Sequence, residues 1–234
     1  MVQLSIDTCN QLCAASLSEM SGDKCRVFDR DCEDIGRGHA ELLASQVDRL
    51  LKSANRKPTE LSRIAVTIGP GSFTGQRVGL ALARSMGMAL KIDVLGINVL
   101  DALLREAQSA APQQKAYCAI LDARRGGAYV KCIDAQGAIL IDTCLLLVED
   151  MNAALQKLAG LIVLIGTGVE LVDGHDSDAY KTIDVKLPAI ETIAQLGHQQ
   201  TAMSEPVTPL YLRAPDAKPQ SGKHLPLAAK AAQL

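Results

Sequence analysis

One pattern occurs twice in this chain and constrains its fold more than any other feature. Residues 4–7 form a short apolar run ending in Asp7, a turn covers 9–11, and a run of small and apolar residues returns over 12–17. About half a chain later, residues 117–121 form an apolar run ending in Asp122, a turn covers 123–127, and 128–133 returns. The strand-like run 64–68 leads into Gly69-Pro70-Gly71, and 161–165 leads into Gly166-Thr167-Gly168. Two unrelated hairpins can each end in Asp by chance. The matching order of elements around them favours duplication: two α/β halves, each opening with β-hairpins. At about 150 residues per domain, 234 residues suit one large domain or two small ones. The expected division is an N-terminal lobe over 1–100 and a C-terminal lobe over 101–213.

The first half is the more legible. Residues 25–31 alternate as a third strand. Residues 39–54 carry Leu42, Leu43, Val47, Leu50 and Leu51 at helical spacing, with Asn55 and Pro58 as the stop. A second helix is expected over 74–90, a strand over 94–97 and a third helix over 100–108. A last helix fits 190–202, while the register of 134–184 is not readable. Five of the nine prolines lie from Pro206 onward. Residues 214–234 are therefore expected to be a loosely held tail, weakly basic through Lys218, Lys223 and Lys230 against Asp216.

Composition removes several function classes. A net charge of −2 offers nothing that attracts a phosphate backbone at long range. With no Trp, two Phe and four Tyr, stacking platforms for single-stranded nucleic acid are nearly absent. The first residues are not those of a signal peptide, and no apolar run reaches the ~18 residues of a membrane span. A soluble cytoplasmic protein without membrane contact is expected. The seven cysteines are odd in number, contain no CxxC and read as reduced core thiols, so a zinc or redox site is not supported.

The sharpest local motif is the segment from Gly69 to Arg77, between a strand and a helix. Gly69, Gly71 and Gly75 allow backbone N–H groups to converge on an anion at the helix start, and Ser72 or Thr74 can cap it. A tight turn for packing explains the same glycines equally well. It is not a P-loop, because no Lys follows Gly75; not a dinucleotide fingerprint, because Thr74 fills the sixth place; and not a nucleophile elbow, because Phe73 fills the third. Asp7, with Thr8 beside it, and Asp122 each stand at a strand end facing a turn. Across a cleft they can hold Mg²⁺ or orient a phosphate; more simply, they cap turns. His39 has Leu43, not His, four residues on, so a helical two-histidine metal site is not supported. In the second helix Gly75, Gly79, Ala83 and Gly87 share one face. Such a stripe packs on the chain's own sheet or on another subunit. The partner surface is favoured, with Arg77 and Arg84 at its rim, and Leu at Gly79 or Ala83 is then expected to break association but not the fold.

At this point the residues resemble a known family. Ser5-Ile6-Asp7-Thr8, His39-Ala40-Glu41-Leu42-Leu43, the segment from Gly69 to Gly79, Leu121-Asp122-Ala123-Arg124-Arg125-Gly126 and Tyr211-Leu212-Arg213 follow the order seen in the TsaB (YeaZ) family of bacterial tRNA threonylcarbamoyladenosine (t6A) biosynthesis. The similarity spans about residues 1–213. It implies an α/β, duplicated actin/Hsp70/sugar-kinase-like (ASKHA) two-lobed fold. It implies a non-catalytic subunit that binds and activates TsaD, the transferase that modifies adenosine 37 of tRNAs reading ANN codons. His39 without a second histidine implies no metal site and no catalytic residues here. The first two helices, with His39, Leu43, Val47, Gly75, Gly79, Ala83, Arg84 and Gly87, are the implied surface for TsaD or, in isolation, a homodimer. TsaE joins that assembly, and TsaC supplies the activated intermediate. No cofactor is expected on this chain alone; ATP or ADP with Mg²⁺ belongs to the assembled complex, and direct tRNA binding by the lone chain is not expected. Cys9 stands where the family usually has Ser, which weakens the case for a phosphate-binding turn at Asp7-Thr8-Cys9. The competing readings are an ATP-dependent phosphotransferase of the same fold, using Asp7 and Asp122, and a peptidase.

Overall fold

A computed structural model describes residues 1–36, 38–158, 160–201 and 205–213. The tail expected over 214–234 lies outside the described residues. The chain opens with β1 (Val2–Asp7), β2 (Leu12–Ser21) and β3 (Lys24–Asp34), then α1 (His39–Ser53), β4 (Leu61–Gly69), α2 (Phe73–Leu90) and β5 (Asp93–Asn98). These strands form one sheet in the order β3-β2-β1-β4-β5, antiparallel across the two hairpins and parallel from β1 to β5. The second half has α3 (Val99–Ala110), β6 (Ala116–Arg124), β7 (Gly127–Asp134), β8 (Ile139–Leu147), α4 (Val148–Leu155), β9 (Ile162–Ile165), β10 (Tyr180–Ile183) and α5 (Ile190–Gln199). Its sheet runs β10-β9-β6-β7-β8, the first order read backwards with β6 in the place of β1. Each hairpin pair is antiparallel and each crossover parallel, as in the first sheet. The duplication inferred from two Asp-ended hairpins is thus a duplication of whole sheets.

Side-chain alternation explains how each sheet is covered. All of β1 is buried. Leu4 and Ile6 face the cluster that holds Leu43, Val47 and Leu50 of α1 with Leu80 and Ala83 of α2. Gln3 and Ser5 face the other way, where Gln3 Nε2 donates to Ser5 Oγ and to the Ala194 carbonyl of α5. α5, from the end of the chain, therefore lies against the first sheet, with Ile190 and Ile193 packed among Ala14, Ala65 and Ile97. α3 follows β5 with no intervening loop: Asn98 ends the strand and its side chain caps Leu100 N at 2.9 Å. It packs against the second sheet, Leu100 and Leu103 among Tyr117, Leu121 and Val163. The two helices meet between the sheets, where Glu106 accepts from Ala189 N and Thr192 Oγ1. The expected boundary at residue 100 therefore falls inside a helix that joins the two halves.

One cysteine expectation is corrected. Cys118 and Cys132 are register partners across β6 and β7, with Cα atoms 4.2 Å apart, and form a disulfide. The other five cysteines are free thiols.

Candidate functional site

The candidate phosphate loops of the first half pack on each other. Ser72 N donates to the Cys9 carbonyl at 2.6 Å, and Thr8 Oγ1 donates to the Gly75 carbonyl at 2.8 Å. A Cβ at Gly71 would overlap the Cys9 carbonyl oxygen, and one at Gly75 the Thr8 carbonyl oxygen. The glycines serve this backbone-to-backbone approach, the packing alternative of the two sequence readings. Ser72 Oγ caps α2 by accepting from Gly75 N at 3.2 Å, while Thr74 is exposed on the first turn. Asp7 is buried; its Oδ1 accepts from Thr67 Oγ1 at 2.7 Å and from Cys9 N at 3.0 Å. Burial pushes its carboxyl above the usual range, and the two hydrogen bonds only partly oppose that. Burial, and next the Asp7 charge, push the neighbouring Cys9 thiol well up.

Asp122 is committed differently. Its Oδ1 accepts from Arg124 N at 2.7 Å, its Oδ2 pairs with Arg124 Nη1 at 3.1 Å, and its own N–H donates to Thr167 Oγ1 at 3.1 Å. It clamps the turn of the β6–β7 hairpin, where Arg124, Arg125 and Gly126 have φ of 61°, 53° and 72°. That left-handed conformation costs a non-glycine residue roughly 1–2 kcal/mol. Between the two halves lies a cleft of about 660 Å³, with Cys9, Asn10 and Ser72 on one wall and Asp122, Thr167 and Lys186 on the other. Asp7 does not line it. The pair of acids proposed from sequence thus does not face a common space: one is sealed inside and the other holds an arginine. Among the described residues, no three His, Cys, Asp or Glu side chains are grouped so as to hold a metal ion.

The glycine stripe requires a correction. Gly75 and Gly79 lie over Thr8, a Cβ at Gly79 would also touch Ile6 and Val66 at 3.5 Å, and Gly87 lies over Val94. Ala83 is in the core cluster. The stripe brings α2 close to its own sheet and presents nothing to a partner. Of the other residues expected at an interface, Val47 is core and His39 is a buried anchor, its Nε2 3.2 Å from the Leu12 carbonyl. Leu43 is buried at the floor of a groove, and Arg84 is exposed.

The exposed face of α2 lies two residues, about 200°, away from the stripe. Phe73, Arg77, Ala81 and Ser85 recur every four residues there. With Ala40 and Ala44 of α1 they line a groove of about 540 Å³ between the helices. Phe73 is 48% exposed and Met88, farther along, is 77% exposed. The C-terminal segment extends the surface. Leu210 N donates to the Ile68 carbonyl, and the Tyr211 ring lies 5.1 Å from that of Phe73. The Arg77 guanidinium stacks 3.7 Å from the Phe73 centroid while its Nε donates to Tyr211 Oη at 2.8 Å. Inverting the stripe would have found this face in the sequence; Tyr211 had no signal beyond its motif.

Comparison with known proteins agrees with this architecture. Residues 33–206 match the family model described as TsaD: tRNA N6-adenosine threonylcarbamoyltransferase. The tRNA threonylcarbamoyladenosine biosynthesis protein TsaB of Escherichia coli is 25% identical over 222 residues, covering 90% of this chain and 94% of the relative. TsaB of Bacillus subtilis is 28% identical over 181 residues, 77% of this chain and 74% of that one. In fold, YeaZ from Pseudomonas aeruginosa superimposes with a TM-score of 0.68 at 23% identity, covering 90% of this chain and 99% of that one. The fold is the α/β one of YeaZ, with two halves of matching sheet order. This chain belongs to the TsaD family of domains and, within it, to the TsaB (YeaZ) group.

Proposed function

We propose that this chain works in tRNA threonylcarbamoyladenosine biosynthesis as a subunit that binds and activates the transferase TsaD and performs no covalent step itself. The observation that carries this reading is the apolar face of α1 and α2 left exposed among the described residues, Ala40 and Ala44 against Phe73, Ala81 and Met88, with Arg77 and Arg84 at its edge. Aromatic and arginine side chains held rigidly at the rim of an apolar groove are the residue types that dominate protein interfaces. The acids needed for chemistry are used internally: Asp7 by Thr67 and Cys9, Asp122 by Arg124. The names of the relatives supply the pathway, and the model of the transferase domain supplies a partner of the same architecture. In isolation the same face pairs two copies; TsaE and TsaC act in the same pathway, in the cytoplasm. ATP or ADP with Mg²⁺ belongs to the assembly.

Co-expression tests this directly. TsaD copurifies with this chain and gains activity in forming the modified adenosine; absence of both effects overturns the reading. The interlobe cleft favours one competitor, an ATP-dependent phosphotransferase. Stoichiometric Mg–ATP binding with turnover by the isolated chain would establish that instead.

A further inference from the structure

We propose that the tip of the β6–β7 hairpin, with Arg124 as the last residue of β6 and Arg213 beside it, touches the phosphodiester backbone of the tRNA while the transferase holds that tRNA. The proposal rests on the function proposed above. The tip is fixed on three sides. Asp122 accepts from Arg124 N at 2.7 Å, Arg213 Nη2 donates to the Arg124 carbonyl at 3.2 Å, and Val148 N donates to the Gly126 carbonyl at 3.0 Å. Arg124 and Arg125 are both left-handed, in a turn where Asn or Gly would fold with less strain. Burial does not call for arginine at position 124, where the side chain is 86% exposed. Its Nη1 is used by Asp122 at 3.1 Å. The guanidinium has five donors in a planar fork, so a phosphate can still be gripped through two of them. Arg213 adds a second guanidinium at the same point. With a net charge of −2 the chain has no field to capture RNA from a distance. A small fixed basic point suits a subunit that touches RNA already held by another, and a phosphodiester fits the fork of an arginine already screened by one carboxylate.

The test uses the complex of this chain with its transferase, and tRNA binding measured between 50 and 200 mM salt. Arg124→Asn keeps the left-handed preference and removes the cation. Transferase copurification and melting temperature are expected to stay unchanged. The slope of log K against log salt should fall by about 0.9, which is about an eight-fold loss of tRNA affinity at 0.1 M salt. Arg124→Lys should recover part of it. An intact complex with unchanged slope and affinity overturns the proposal. Loss of the transferase from the variant also overturns it, because the tip then touches an acidic protein segment. If the unsubstituted chain does not bind the transferase at all, both this proposal and the function beneath it fail.

Discussion

Asp7 shows how far a single residue's position and its role can separate. The sequence places it at a strand end, as the structure does. Its burial depends on β4 pairing alongside and on Thr67 arriving from sixty residues away, which no local pattern reveals. Because burial raises its folded pKa above the usual 3.8, the folded state holds the proton more tightly than the unfolded chain. Ionising Asp7 therefore costs stability as pH rises from about 3.8 through the folded value, and the full cost is present above that. Asp7→Asn keeps an acceptor for Thr67 and Cys9 and carries no charge. The variant is expected to melt no lower than the parent at pH 4, to gain relative to it by pH 8, and to keep supporting tRNA modification. A melting difference independent of pH would contradict this account of Asp7. The glycines carry a second prediction. A Cβ at Gly75 would overlap backbone that cannot swing aside. Gly75→Ala should therefore lower the unfolding free energy read from denaturant titration by at least the roughly 1–3 kcal/mol typical of overpacking. Gly79→Leu should do the same, unfolding the protein instead of selectively freeing a partner; a well-folded Gly79→Leu protein would restore the stripe as an interface.

At the scale of elements, α1 and α2 are legible because their core faces repeat at helical spacing. The face of α2 that is free is less so. Both of its faces carry small residues, and only the register against β1 and β4 decides which is inward. Ala81 is on the outward face and exposed. Ala81→Arg should leave the melting temperature within about 0.5 kcal/mol equivalent of the parent, as surface changes usually do, and abolish copurification of TsaD. Retained copurification would move the docking surface elsewhere. The elements that escaped the sequence did so for physical reasons. β8 is mostly apolar but does not alternate and is nowhere fully buried, α4 has 8 residues, and β10 only 4. Each is held by its neighbours in the second sheet more than by its own pattern. The β6–β7 hairpin is legible, and so is the turn-capping alternative for Asp122; its ion pair with Arg124 is not, because that depends on a turn conformation arginine seldom takes.

At the scale of the molecule, the duplication was readable from four segments, and the identical strand order of the two sheets completes it. The exchange of helices was not readable. α5 follows the second sheet in sequence yet covers Gln3, Ala65 and Ile97 of the first. A fragment ending at residue 98 would expose that polar and apolar surface together. It should give no cooperative melt, whereas the whole chain should unfold in one transition; a sharply melting fragment would mean that the first half folds unaided. His198 of α5 lies 3.1 Å from Ser18 Oγ, and burial, then the Arg63 charge and the N-terminus, hold its pKa below 6.5. The folded state thus resists this proton, and the seat of α5 should loosen as pH falls below about 6.5.

The passage of β5 into α3 without a loop carries one last consequence. β5 passes directly into α3 at Asn98, and α3 packs on the second sheet, so the two halves meet there without a linker. In the role proposed above, a protein built this way would work on its partner as a mould works on a casting, by the contour it keeps.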